Sequence, residues 1–149
     1  RDWSSDVCSS DLPYVIRVLK SDAKIRVTGK VPKTEKKDSW GDVSYLEDFS
    51  SIARAIRGSK VKIHLDLSAL DFNAFRGDGY SFENCEQLSG ITIPSTIYSI
   101  WENSFKNCTS LKIVNFCRSK KEWKQILVEH KSGNEALLKA KIKYNYKGE

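Results

Sequence analysis

The sequence predicts an α/β fold: a short solenoid of about two to three coils, with an α/β cap at its N-terminal end and a helix-strand cap at its C-terminal end. Three observations carry this. Residues 82–94 and 105–117 repeat with apolar residues at one fixed offset, the stretch VKIHLDL alternates apolar with polar residues, and two segments gather apolar residues on one helical face. A coil of this kind cannot bury its apolar side alone, so successive coils stack and equivalent positions become columns of one core.

Residues 1–12, RDWSSDVCSSDL, are set aside first. They resemble the translation of a widely used short-read sequencing adapter, with every residue from Arg1 to Leu12 in agreement, so native sequence is expected to begin at Pro13. Setting them aside removes Arg1, Asp2, Asp6 and Asp11 and raises the net charge from +6 to +8. Such a basic balance attracts nucleic acid, anionic lipid or acidic glycans without selecting among them. Hydrophobic content of 40% and charge of 30% fit one folded domain. No apolar run approaches the roughly 20 residues that cross a bilayer.

The repeat is explicit when FENCEQLSGITIP is laid over FKNCTSLKIVNFC. Phe82/Phe105, Asn84/Asn107, Cys85/Cys108, Leu88/Leu111, Ile91/Val114 and Ile93/Phe116 each lie 23 positions apart. Ile97 and Ile100 continue the apolar pattern. One unit reads F-x-N-C-x-x-L-x-x-I-x-I-P-x-x-I-x-x-I, and in this it resembles the BspA-type or treponemal class of leucine-rich repeats, whose period is about 20 to 29 residues. Thr92 and Ser95 are expected to face outward, and the two Asn to sit where the chain bends.

Upstream, Val61, Ile63, Leu65 and Leu67 alternate with Lys62, His64 and Asp66, the pattern of a strand with one buried face. It reads as the strand of an earlier, irregular repeat, followed by an enlarged loop holding Gly77 and Gly79, in which the register of Phe72 and Phe75 is open. Leu46, Phe49, Ile52, Ala53 and Ile56 share a helical face, with Ser44 and Glu47 as an expected capping box and Gly58 as the stop. YVIRVL and KIRVTGKV read as strands. At the other end Trp123, Ile126, Leu127 and His130 predict a helix over about 120–131 with Ser119 and Glu122 as its capping box, and Leu138 to Tyr144 alternate as a closing strand. The expected division is therefore 13–60 as N-terminal cap, 61–118 as repeats and 119–149 as C-terminal cap.

Catalysis requires a nucleophile with a base, paired carboxylates, a metal cluster or a phosphate loop, and none stands at usable spacing. No enzyme activity, cofactor or metal is expected. His64 and Asp66 share one strand face without a nucleophile, and His130 ends a helix where a cation is favoured. Cys85, Cys108 and Cys117 form no CxxC pair. Cys85 and Cys108 share a column, leaving a disulfide or two buried thiols open, with thiols the plainer choice. Arg76, Gly77 and Asp78 spell RGD in a predicted loop, and Asn107, Cys108 and Thr109 match a glycosylation sequon that the unglycosylatable Asn84-Cys85 pair marks as structural.

The resemblance implies a non-catalytic, protein-binding scaffold of a bacterial surface or secreted protein, adhesin-like. Its implied partner is a host surface or matrix protein or another bacterial surface protein, and its location extracellular or at the cell surface. The expected binding surface is the outward strand face, with Lys62, His64, Asp66, Thr92, Lys112 and Asn115, together with Arg76, Gly77 and Asp78. The rival reading is electrostatic binding of nucleic acid or acidic glycans through Lys120, Lys121, Lys124, Lys131, Lys139, Lys141 and Lys143 of the C-terminal part. No aromatic stacking platform is interleaved with these lysines, which weighs against nucleic acid.

Overall fold

In the computed structural model, which describes residues 3–127 and 132–148, the elements run β1 (Trp3–Cys8), α1 (Leu12–Arg17), β2 (Ala23–Thr28), β3 (Lys33–Lys37), β4 (Val43–Glu47), α2 (Ser50–Arg57), β5 (Ile63–Asp66), β6 (Ala74–Phe75), β7 (Leu88–Ile93), β8 (Ser99–Ile100), β9 (Ile113–Phe116), α3 (Lys120–Leu127), α4 (Glu135–Lys139) and β10 (Lys141–Lys143). Among the described residues, six strands form one sheet in the order β1-β2-β5-β7-β9-β10. Every neighbouring pair is parallel. This is an α/β repeat fold, since parallel neighbours require the chain to cross back between strands and here it does so in a recurring way.

The register converts the sequence repeat into columns. Ile25 lies beside Leu65, Leu65 beside Ile91, Ile91 beside Val114 and Val114 beside Ile142. The first four are fully buried. Each such side chain contributes about 1.5–3 kcal/mol on leaving water, so the column ties five strands together.

A second column is aromatic. The Phe82 and Phe105 rings stack with centroids 5.7 Å apart and planes within 16°, and Phe49 lies 5.6 Å from Phe82 on the other side. The same three residues are bound alike through the backbone. The Phe49 amide donates to the Tyr80 carbonyl and the Phe82 amide to the Ser104 carbonyl, each at 2.8 Å, while the Phe105 amide donates to the Asn134 side-chain oxygen at 2.9 Å. Phe49 therefore opens an earlier turn of the same stack, lengthened to 33 residues. Within it, Phe72 and Phe75 flank Phe49 at 4.9 and 5.4 Å. The open register resolves: β6 pairs with β8, placing Phe75 beside Ile100.

Four local expectations are corrected. YVIRVL is not a strand but most of α1, because Pro13 sits in the first turn, where its fixed φ suits a helix, and Leu12 and Ile16 bury one face. Ser44 and Glu47 form no capping box. They lie in β4, paired with β3 as a hairpin absent from the sequence reading, and the Asp48 carboxylate instead receives the Ser50 amide at 2.9 Å. The stretch from Leu138 is not continuous strand, since Leu138 and Lys139 end α4 and only Lys141–Lys143 join the sheet. α3 is described over Lys120–Leu127, and the expected continuation through His130 and Lys131 lies outside the described residues.

The other capping box is present. The Glu122 amide donates to Ser119 Oγ at 3.2 Å and the Ser119 amide to Glu122 Oε1 at 3.3 Å. The Ser119 hydroxyl, which also donates to Glu122 Oε1 at 2.9 Å, and after it the Ser119 amide hold the Glu122 carboxyl below its usual range.

Candidate binding face on the parallel sheet

Because side chains alternate along a strand, the residues between the apolar columns point away from the core and line up across the sheet. One such line runs Asp6, Arg26, Asp66, Thr92, Asn115 and Lys143. Its members bind one another. Arg26 Nε lies 3.1 Å from Asp66 Oδ2, and Arg26 also faces Asp6 at 3.8 Å. Asp66 accepts the Ser68 amide at 2.8 Å. Thr92 Oγ1 is 3.1 Å from His64 Nε2 and accepts Asn115 Nδ2 at 3.1 Å.

These contacts correct the expectation that all six strand-face residues are exposed. Asp66, Thr92, Asn115 and His64 are 1%, 0%, 5% and 7% accessible, and only Lys62 and Lys112 stand in solvent. The cause is tertiary: strands about 4.8 Å apart let polar side chains bridge to their neighbours. The segment after β10 also returns along β9, with the Tyr146 amide donating to the Phe116 carbonyl at 2.9 Å. The hydrogen bond that Arg26 donates to the Asp66 carboxylate holds the guanidinium still more firmly protonated, with the charges of Asp66 and Asp6 adding to it.

His64 owes its place to Gly90. In register the two are neighbours, and a Cβ at position 90 would stand 2.2 Å from His64 Nδ1, so only glycine leaves room for the ring. His64 and Asp66 do not act as an acid/base pair, since the carboxylate is held by Arg26 and the imidazole by Thr92.

Beside this ladder lies an open depression of about 400 Å³ lined by Lys24, Lys62, His64 and Lys112, with Asp22 and Ser89. Lys62 Nζ donates to Ser110 Oγ at 2.9 Å and to the Glu86 carbonyl at 3.4 Å, which swings its charge across β7 toward β9. Lys141 and Lys143 continue the face on β10. Lys139, expected on the same strand, is instead on α4 and lines another depression with Asn107 and Glu135.

Arg76, Gly77 and Asp78 sit apart, where the loop after β6 meets the β3–β4 hairpin. The Arg76 guanidinium lies 5.2 Å over the Trp101 ring, and its Nε is 3.7 Å from Glu47 Oε2. Gly77 is buried, and a Cβ there would stand 2.1 Å from the Glu102 carbonyl. Only Asp78, at a φ of 57°, projects into solvent.

Cys85 and Cys108 are free, buried thiols, so the plainer of the two alternatives holds. Burial pushes Cys85 up to about 11 and Cys108 to about 12, which leaves neither nucleophilic near neutral pH. Among the described residues no three His, Cys, Asp or Glu side chains come together as a metal site, and no helix is long and apolar enough to cross a membrane. Sequence reasoning overlooked Arg26 and Asn134. Arg26 was legible as the polar member of an alternating strand, whereas nothing local marks Asn134, which is fully buried and donates to the Trp101 carbonyl at 2.9 Å.

Stacked parallel strands with recurrent Phe, Cys and Leu columns define a leucine-rich-repeat protein. The family model described as BspA type Leucine rich repeat region, in 6 copies, matches residues 76–147, and that stretch of the chain is a BspA-type leucine-rich repeat region. No curated protein and no solved structure matches the chain. Repeat scaffolds of this class offer extended surfaces for binding and are generally not catalysts.

Proposed function

We propose that this chain is a short solenoid whose outward strand face binds protein, as part of an adhesin-like bacterial protein displayed at the cell surface or secreted. The partner is a host surface or matrix protein or another bacterial surface protein. Residues 13–60 and 119–149 are read as the caps and 61–118 as the repeats between them, with 1–12 as the exogenous segment. The observation that carries this reading is the ladder of Arg26, Asp66, Thr92 and Asn115, largely closed to solvent and fixed by its own contacts, which makes a rigid sheet beneath the exposed Lys62 and Lys112. A surface ordered before contact loses little side-chain freedom on binding. Lys62 and Lys112 at its margin supply exposed charge for orientation, and Asp78 supplies a second, separate contact point.

The test is direct binding of the chain to immobilised host matrix proteins, measured by surface plasmon resonance at low and moderate salt. Affinity should change little with salt, fall at least tenfold in Lys62→Glu/Lys112→Glu, and fall less in Asp78→Ala. Absence of binding across the matrix proteins, or binding indifferent to both sets of substitutions, overturns the proposal.

A further inference from the structure

α1 and α2 pack side by side and leave an open groove of about 450 Å³ between them. Its apolar members are Pro13, Ile16 and Ala55, its cations are Arg17, Arg54 and Lys60, and no acid lines it. The surrounding sequence has one sign. Residues 12–21 and 50–61 hold Arg17, Lys20, Arg54, Arg57 and Lys60 and neither Asp nor Glu. Arg57 is engaged elsewhere, donating to the Glu83 carbonyl at 2.9 Å, while the other four form no salt bridge among the described residues. Asp11, Asp22 and Asp48 bound these segments without entering the groove, and counting all three against the five cations still leaves +2 (5−3). The C-terminal end of α2 at Gly58 carries only about half an elementary charge, too little to neutralise Arg54 and Lys60.

The same face also exposes apolar side chains. Leu12 and Ile16 bury the inner side of α1, whereas Tyr14 and Val18, one turn apart on its outer side, are 65% and 71% accessible. The Arg17 guanidinium lies 5.6 Å over the Tyr14 ring, so cation and aromatic are presented together. This combination decides the partner. A soluble polyanion satisfies the cations and leaves Tyr14 and Val18 in water. An anionic bilayer takes both, with lipid phosphates meeting the guanidinium and ammonium groups and the headgroup boundary taking the aromatic and aliphatic side chains. Arginine suits the phosphate because its planar fork bonds two oxygens at once.

We propose that the α1–α2 face is a docking surface for an anionic phospholipid bilayer, with Arg17, Arg54 and Lys60 on lipid phosphates and Tyr14 and Val18 at the headgroup boundary. It stands independently of whether the strand face binds protein.

The experiment is co-sedimentation of the whole chain with vesicles of phosphatidylglycerol and phosphatidylcholine in equal parts, and with vesicles of phosphatidylcholine alone. The parent chain should partition onto the anionic vesicles and stay in the supernatant with the neutral ones. Arg17→Gln/Arg54→Gln/Lys60→Gln should weaken partitioning at least tenfold. Lys120→Gln/Lys121→Gln/Lys124→Gln on α3, which removes the same charge elsewhere, should partition close to the parent. Tyr14→Ser/Val18→Ser, which keeps every charge, should weaken partitioning at least threefold. No partition of the parent, or equal losses in the two charge variants, overturns the site; parent-like partition of Tyr14→Ser/Val18→Ser overturns the bilayer as its partner and leaves a soluble polyanion in its place. Should the first triple variant lose its far-ultraviolet circular dichroism, Arg54→Gln alone is compared with Lys121→Gln by the same criteria.

Discussion

The side-chain amide of Asn107 donates to the side-chain oxygen of Asn84 at 2.8 Å, and both residues hold a φ of 61°. Twenty-three positions apart in sequence, they occupy the same bend of successive turns. Asn is one of the few residues that visits this left-handed region readily, and its side chain can then form a rung between turns.

Asn107→Ala should cost about 1–2 kcal/mol, from loss of the rung and of a residue tolerant of positive φ. Asn107→Gly, which keeps the backbone freedom, should cost less. Urea denaturation of Asn84→Ala, Asn107→Ala and the double variant should give a double loss smaller than the sum, because each single variant already removes the shared bond. Strict additivity would show that the rung contributes nothing.

Phe105→Ala should be the costlier kind of change. The ring is fully buried, stacked on Phe82 and 5.1 Å from Phe75, so its loss should cost about 3–5 kcal/mol. A shift in unfolding free energy below about 1 kcal/mol would contradict the aromatic column as a source of stability.

Gly90→Ala places a methyl group against the His64 ring and should destabilise by about 1–3 kcal/mol. His64→Ala/Gly90→Ala should recover part of that loss, since the obstacle is gone. If the double variant is as unstable as the two losses added, some other contact of Gly90 is responsible.

The thiols give a prediction in pH. Cys85 and Cys108 are raised by burial from an ordinary 9.0 to about 11 and about 12, so folding favours their protonated forms. The stability this lends is full below pH 9 and is lost as pH rises toward 11 and 12. Relative to Cys85→Ala/Cys108→Ala, the parent should lose stability more steeply over that interval. An aromatic disulfide reagent at pH 8 should label exposed Cys8 quickly and Cys85 and Cys108 only after denaturation; rapid native labelling of either buried thiol would contradict their placement.

The repeat was legible because its signal is periodic. Leu88, Ile91 and Ile93 recur as Leu111, Val114 and Phe116, and a period that matches a known stacking unit fixes which residues become columns. The Ser119–Glu122 box was legible for a similar reason, since both bonds close within four residues. The hairpin of β3 and β4 was not: Lys33–Lys37 is nearly all polar and exposed, so no alternation announces it. α1 was misread because YVIRVL fits two periods and Leu12, which completes its helical face, had been set aside with the first twelve residues.

By itself, then, the sequence determined that equivalent apolar residues stack and that residues 76–147 are a BspA-type leucine-rich repeat region, because burial of a repeated pattern is a property of spacing alone. Only the tertiary structure decided that His64, Asp66, Thr92 and Asn115 are closed to solvent and bound in pairs, while Lys24, Lys62 and Lys112 meet at one depression. Those facts depend on which strands lie side by side and in what register, and a polar residue's neighbours across a parallel sheet are many positions away in the chain.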